Sequence, residues 1–123
     1  MKIIDLVRAQ QSIETIMTRK MPGKLAYAFS KNFRLINLEL EYYNEARIKL
    51  LSDNWPFDGK TQSYSIPEED KEKWKQIHDE LLNSESSYKP YTLDANLVND
   101  IELTPGELFD LWFLFEEFPS VNG

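Results

Sequence analysis

Residues 22–51 decide the fold: Pro22-Gly23-Lys24-Leu25-Ala26-Tyr27-Ala28-Phe29-Ser30-Lys31-Asn32-Phe33-Arg34-Leu35-Ile36-Asn37-Leu38-Glu39-Leu40-Glu41-Tyr42-Tyr43-Asn44-Glu45-Ala46-Arg47-Ile48-Lys49-Leu50-Leu51. Leu25, Phe29, Phe33, Ile36, Leu40, Tyr43 and Leu50 recur at helical spacing. At the helical turn per residue they fall within roughly an 80–100° arc, the stripe of a helix that packs on a core. A second, weaker strip holds Tyr27, Leu35, Leu38, Tyr42 and Ala46. A helix over this stretch is roughly 45 Å long, more than a compact domain of this size needs. With two apolar faces it is expected to pack on both sides, the second against the C-terminal part of the chain or another protomer. Arg47 falls inside the main stripe, where a snorkelling or paired arginine is expected.

On the N-terminal side, Leu6, Ala9, Ile13, Ile16 and Met17 define a helix from about Leu6 to Arg19, with Asp5 as N-cap and Arg19 and Lys20 at the negative end of its dipole. Pro22 breaks the chain and can open the long helix. On the other side, Asn54-Trp55-Pro56-Phe57-Asp58-Gly59-Lys60 is a turn-rich linker whose two aromatics are expected to dock on the body. Ser65-Ile66-Pro67-Glu68 has capping-box spacing and predicts a third helix ending near Asn83 or Ser84, with Trp74, Ile77 and Leu81 inward. Ser87 to Leu93 and Ile101 to Leu103 read as short extended pieces that can pair, with a turn between them. Thr104-Pro105-Gly106-Glu107 opens the last helix, with Thr104 as N-cap and Glu107 as its reciprocal partner. Leu108, Leu111, Trp112, Phe115 and Phe118 give it a broad apolar face, Phe109, Phe113 and Leu114 widen that face, and the tail from Pro119 to Gly123 is expected to fray.

These elements define a mainly α fold: one domain over residues 1–123, three to four helices with one long central helix, and at most a small two-stranded β ribbon. A chain of 123 residues buries enough surface to need no disulfide or metal staple. It contains no cysteine, which excludes thiolate metal sites and cysteine nucleophiles and agrees with a reducing compartment. The first residues are not a signal peptide, and the longest apolar run, Leu111 to Phe115, is far short of a membrane span. The net charge of −7 is unevenly spread. Residues 1–50 carry nine basic and five acidic side chains, and residues 51–123 five basic and sixteen acidic ones. Such asymmetry can mark a nucleic-acid or protein partner. The simpler reading is that the two halves face each other in one fold.

Chemistry is sparse. No glycine-rich phosphate loop occurs among the four glycines, and no nucleophile elbow is present. His78 is the sole histidine and has no metal-ligand spacing around it, which makes it structural or solvated. Glu68, Glu69, Asp70 and Glu72 sit where dipole and capping explain them, and Glu116 and Glu117 end an apolar helix. No catalytic residue, cofactor or metal site is assigned. Arg19, Lys20, Lys24, Lys31 and Arg34 form a basic stretch with no acid inside it and Tyr27 among them, a pattern that can hold phosphates and stack bases.

Two sets of motifs resemble a known family. The first is Met21-Pro22-Gly23-Lys24-Leu25-Ala26-Tyr27-Ala28-Phe29-Ser30-Lys31-Asn32, with Leu38-Glu39-Leu40-Glu41 and Glu45-Ala46-Arg47-Ile48-Lys49-Leu50. The second is Ile77-His78-Asp79-Glu80-Leu81-Leu82-Asn83-Ser84-Glu85, with Ile101-Glu102-Leu103-Thr104-Pro105-Gly106-Glu107-Leu108. They resemble the small phage and prophage proteins of Gram-positive bacteria grouped as a domain of unknown function. The resemblance implies a phage origin and no established activity, and it supplies no catalytic residues.

The resulting expectation is a phage-encoded, non-enzymatic interaction module in the bacterial cytoplasm. It would bind itself, as a homodimer, or a host or virion protein, through Tyr27, Leu35, Leu38 and Tyr42, and it would not engage a membrane. The alternative is a nucleic-acid-associated protein using residues 19–34.

Overall fold

The computed structural model describes residues 1–116, so Glu117, Phe118 and the tail from Pro119 to Gly123 lie outside the described residues. The chain is mainly α. Helix α1 spans Ile3–Ile16, α2 Gly23–Asn54, α3 Lys71–Leu82 and α4 Pro105–Leu111. Strands β1 (Phe57–Asp58) and β2 (Ser63–Tyr64) form an antiparallel hairpin. Strands β3 (Leu93–Asp94) and β4 (Phe115–Glu116) form a parallel pair.

The long helix is built as its main stripe requires. Leu25, Phe29 and Ile36 are fully buried and Leu40 nearly so. Pro22 is its extended N-cap rather than its first residue, and the helix runs to Asn54, three residues past Leu51. It stops there because Trp55 precedes Pro56, and a residue before proline is pushed out of the helical region; Trp55 is accordingly extended. Arg47 is half-buried and donates to Asn44, 2.9 Å from its Oδ1, as a paired arginine should.

Helix α1 starts at Ile3, three residues earlier than its sequence signals suggested, and ends at Ile16. Asp5 is therefore not its N-cap but sits in the first turn, where its carboxylate accepts the Lys2 backbone N–H at 3.3 Å. Leu6, Ala9, Ile13 and Ile16 are fully buried, because α1 lies against both α2 and α4. An antiparallel bridge between Lys2 and Glu85 ties its start to the segment after α3.

The linker differs in part from its expected form. Trp55 docks, is buried, and donates its indole N–H to Asp70 at 3.0 Å. Phe57 instead stays exposed and packs edge-to-face with Tyr64 across the hairpin, at 5.2 Å between ring centroids. The Ser65 capping box does not form. Ser65 as N-cap would make Ile66 helical immediately before Pro67, which is disfavoured. A 3-10 turn over Glu68–Asp70 follows Pro67 instead, and α3 begins at Lys71 with Asp70 as N-cap. Trp74, Ile77 and Leu81 are half-buried rather than core residues.

The extended pieces near residues 87–93 and 101–103 do not pair with each other. A 3-10 helix over Ala95–Asp100, capped by the Asp94 side chain, carries the chain away, and the partner of Leu93 is Phe115. Helix α4 begins as its sequence dictates, with both arms of the Thr104–Glu107 capping box made. It ends after seven residues, in a 3-10 turn over Trp112–Leu114 and then β4. Leu111, Leu114 and Phe115 are buried in the core, and Phe109 and Trp112 are exposed.

Candidate interaction surface

The core-facing side of α2 carries one polar side chain that is completely buried, Asn32. Its amide donates to the carbonyls of Ala28 and Tyr91, each at 2.8 Å. Its oxygen accepts the Tyr88 hydroxyl at 2.5 Å and the Tyr91 N–H at 2.9 Å. Both donors and both acceptor positions are thus used, which is what a buried amide needs to avoid a desolvation cost. Burial pushes the Tyr88 hydroxyl well above the ordinary tyrosine range, so it stays a donor. Asn32 fastens residues 88–91 to the helix and thereby sets Tyr91 beside the outer face.

On that outer face the structure gathers the four residues the sequence singles out. Tyr27, Leu38 and Tyr42 are 59 %, 50 % and 60 % exposed, and Leu35 is 37 % exposed. Ala46, the last member of the strip, is half-buried. At one end Tyr27 meets Tyr91 edge-on, 5.7 Å between centroids, and Lys31 Nζ lies 4.4 Å from the centre of the Tyr91 ring. Such a cation over a tyrosine face is attracted by the ring quadrupole. In the middle, Arg34, Leu35, Leu38 and Glu41 border a shallow groove of about 450 Å³.

The last helix and its extension do not cover this strip. Phe113 packs edge-on to Tyr88 at 6.2 Å, and Phe115 sits in β4 opposite Leu93. Among the described residues the strip stays exposed.

The basic stretch divides into different environments. The Arg19 guanidinium grips Glu107 with two bonds of 2.6 and 2.8 Å and donates to the Glu102 carbonyl at 2.9 Å. Glu107 is almost fully buried, and the Arg19 hydrogen bonds hold its carboxyl below the usual range. This ion pair joins one residue of the basic half of the chain to one of the acidic half. Lys31 lies over two aromatic rings and is exposed, as are Lys20, Lys24 and Arg34.

Sequence reasoning missed two constellations. One is Asn32, whose signal was an amide at a position at the edge of the apolar stripe. The other is His78, stacked 5.0 Å from Trp74 and bonded through Nε2 to the Tyr43 hydroxyl at 2.7 Å. Burial, and then the nearby Arg47 charge, lower the His78 pKa, while Asp79 opposes them. The pair borders a groove of about 690 Å³ between α1, α2 and α3. Among the described residues, no group of three or more His, Cys, Asp or Glu side chains is placed to hold a metal ion. No described helix is long and apolar enough to cross a membrane. The sequence matches no family model, no curated protein and no solved structure.

Proposed function

We propose that the chain is a phage-encoded, non-enzymatic interaction module that works in the bacterial cytoplasm by binding protein through the outward face of α2. The observation that carries this reading is the exposure of Tyr27, Leu35, Leu38 and Tyr42 along one face of a helix whose opposite face is locked in the core. Apolar side chains clustered in this way, interleaved with charge, are characteristic of interaction sites. A helix fastened on its other side presents them without a backbone ordering cost on binding. The phage assignment rests on the motif resemblance in the two halves of the sequence.

The test uses a doubly substituted chain, Leu38→Glu with Tyr42→Glu, beside the unmodified protein as bait in a nuclease-treated host lysate and in self-association assays. Loss of every bound protein, self included, with an unchanged circular dichroism spectrum is the expected result. Retention of the same bound proteins by the substituted chain would overturn the reading.

A further inference from the structure

We propose that the occupant of this face is a second copy of the chain, paired antiparallel along α2 about a two-fold axis at Leu38. The inference rests on the interaction reading above and goes further, to partner, polarity and register.

Charge along the outward face fixes the choice. Lys31 and Arg34 precede Leu38, and Glu41 and Glu45 follow it. Lys31 and Glu45 lie seven residues to either side, and Arg34 and Glu41 lie four and three. All four are exposed. At about 100° per residue, Arg34 and Glu41 flank Leu38 on one side, and Leu35 and Tyr42 flank it on the other. A two-fold axis perpendicular to the helix reverses direction but keeps each flank opposite its own copy. The central contact is then Leu38 on Leu38. On one flank Leu35 meets Tyr42 of the second copy, and on the other Arg34 meets Glu41. One further turn out, Lys31 meets Glu45. Between Lys31 and Glu45 each off-axis apolar position finds an apolar one and each cation an anion, twice by symmetry. Parallel pairing in register has its two-fold axis along the helices, which exchanges the flanks. Lys31 and Glu45, nearest the midline, would each meet its own like charge, and Arg34 and Glu41 would be set against Leu35 and Tyr42 of the second copy. Interfaces select against such an arrangement of repulsion and unpaired charge. The same sequence that is self-complementary head-to-tail is self-repelling head-to-head.

The chain contains no cysteine, so single cysteines report geometry without background. Three variants are made: Leu38→Cys, Lys31→Cys and Glu45→Cys. In the antiparallel pair Leu38→Cys oxidises to a disulfide-linked dimer. Lys31→Cys and Glu45→Cys cross-link when mixed but not singly, because two copies of either residue are then about 21 Å apart along the axis, beyond disulfide reach. Reversing both cations, Lys31→Glu with Arg34→Glu, raises the dimer dissociation constant at least about tenfold, equivalent to one decade of affinity. Homodimers from Lys31→Cys alone and from Glu45→Cys alone would overturn the polarity. No cross-linking in any arm, with a monomer at high micromolar concentration, would overturn the second copy as occupant. The interaction reading itself would then stand or fall on the lysate comparison.

Discussion

The two faces of α2 are made from similar residue types and behave in opposite ways. On the inner face Leu25, Phe29 and Ile36 have no exposed surface, and on the outer face Tyr27, Leu38 and Tyr42 keep half or more. The difference lies in what stands between the apolar residues. The polar groups bordering the inner stripe have fixed partners: Asn32 is fully bonded and Arg47 is held by Asn44. The outer strip alternates with Lys31, Arg34, Glu41 and Glu45, whose charges would be costly to bury singly inside one chain. Apolar content alone does not separate a core stripe from an exposed strip. The charge pattern woven through it does.

The largest contrast is expected at the core. Phe29→Ala should cost about 3–5 kcal/mol in denaturant unfolding, the usual range for deleting a buried aromatic. A loss near zero would mean that the inner face is not the core. Next comes Asn32→Ala, which strands the Tyr88 hydroxyl and both backbone groups of Tyr91. It should cost about 2–3 kcal/mol, since each buried polar group left unpaired is penalised. Unchanged hydrogen exchange in residues 88–91 would show that Asn32 does not fasten that segment.

Smaller effects follow at the start of α4. Thr104→Ala should destabilise the protein by about 1 kcal/mol through loss of the N-cap. An unmoved denaturant midpoint would contradict the cap. The Arg19–Glu107 pair adds a pH dependence. Because Arg19 lowers the folded-state pKa of Glu107, the stabilisation is fully present above the unfolded glutamate value of about 4.3 and is lost as pH falls through the lower folded value. The stability gap between the unmodified protein and Glu107→Gln should therefore narrow in acid, as read by denaturant titrations from neutral pH downward. A gap that widens there would reverse the sign. The smallest effect is on the outer face: Tyr42→Ala in dilute solution should change stability by less than about 0.5 kcal/mol.

Much of this was legible in the residues. The period of the long helix, its two strips and the Thr104–Glu107 box are local patterns, and the structure builds them all. What was not legible depended on distant parts of the chain or on proline. The Ser65 box fails because Pro67 constrains Ile66. The strand pairing of Leu93 with Phe115 and the early end of α4 depend on how a distant segment closes over the core. Asn32 gave no sign of its role because its partners, Tyr88 and Tyr91, lie more than fifty residues away. The four strip residues were identifiable by spacing alone, but their exposure was not, since Trp112, Phe113 and Phe115 were equally able on paper to cover them.

Sedimentation equilibrium of the unmodified chain beside Leu38→Glu tests the central claim most directly. The account predicts a concentration-dependent rise from 14.5 kDa toward twice that mass for the unmodified chain. It predicts a single folded 14.5 kDa species for Leu38→Glu at the same concentrations. An unmodified chain that stays at 14.5 kDa through high micromolar concentration, or a Leu38→Glu chain that unfolds, would contradict it.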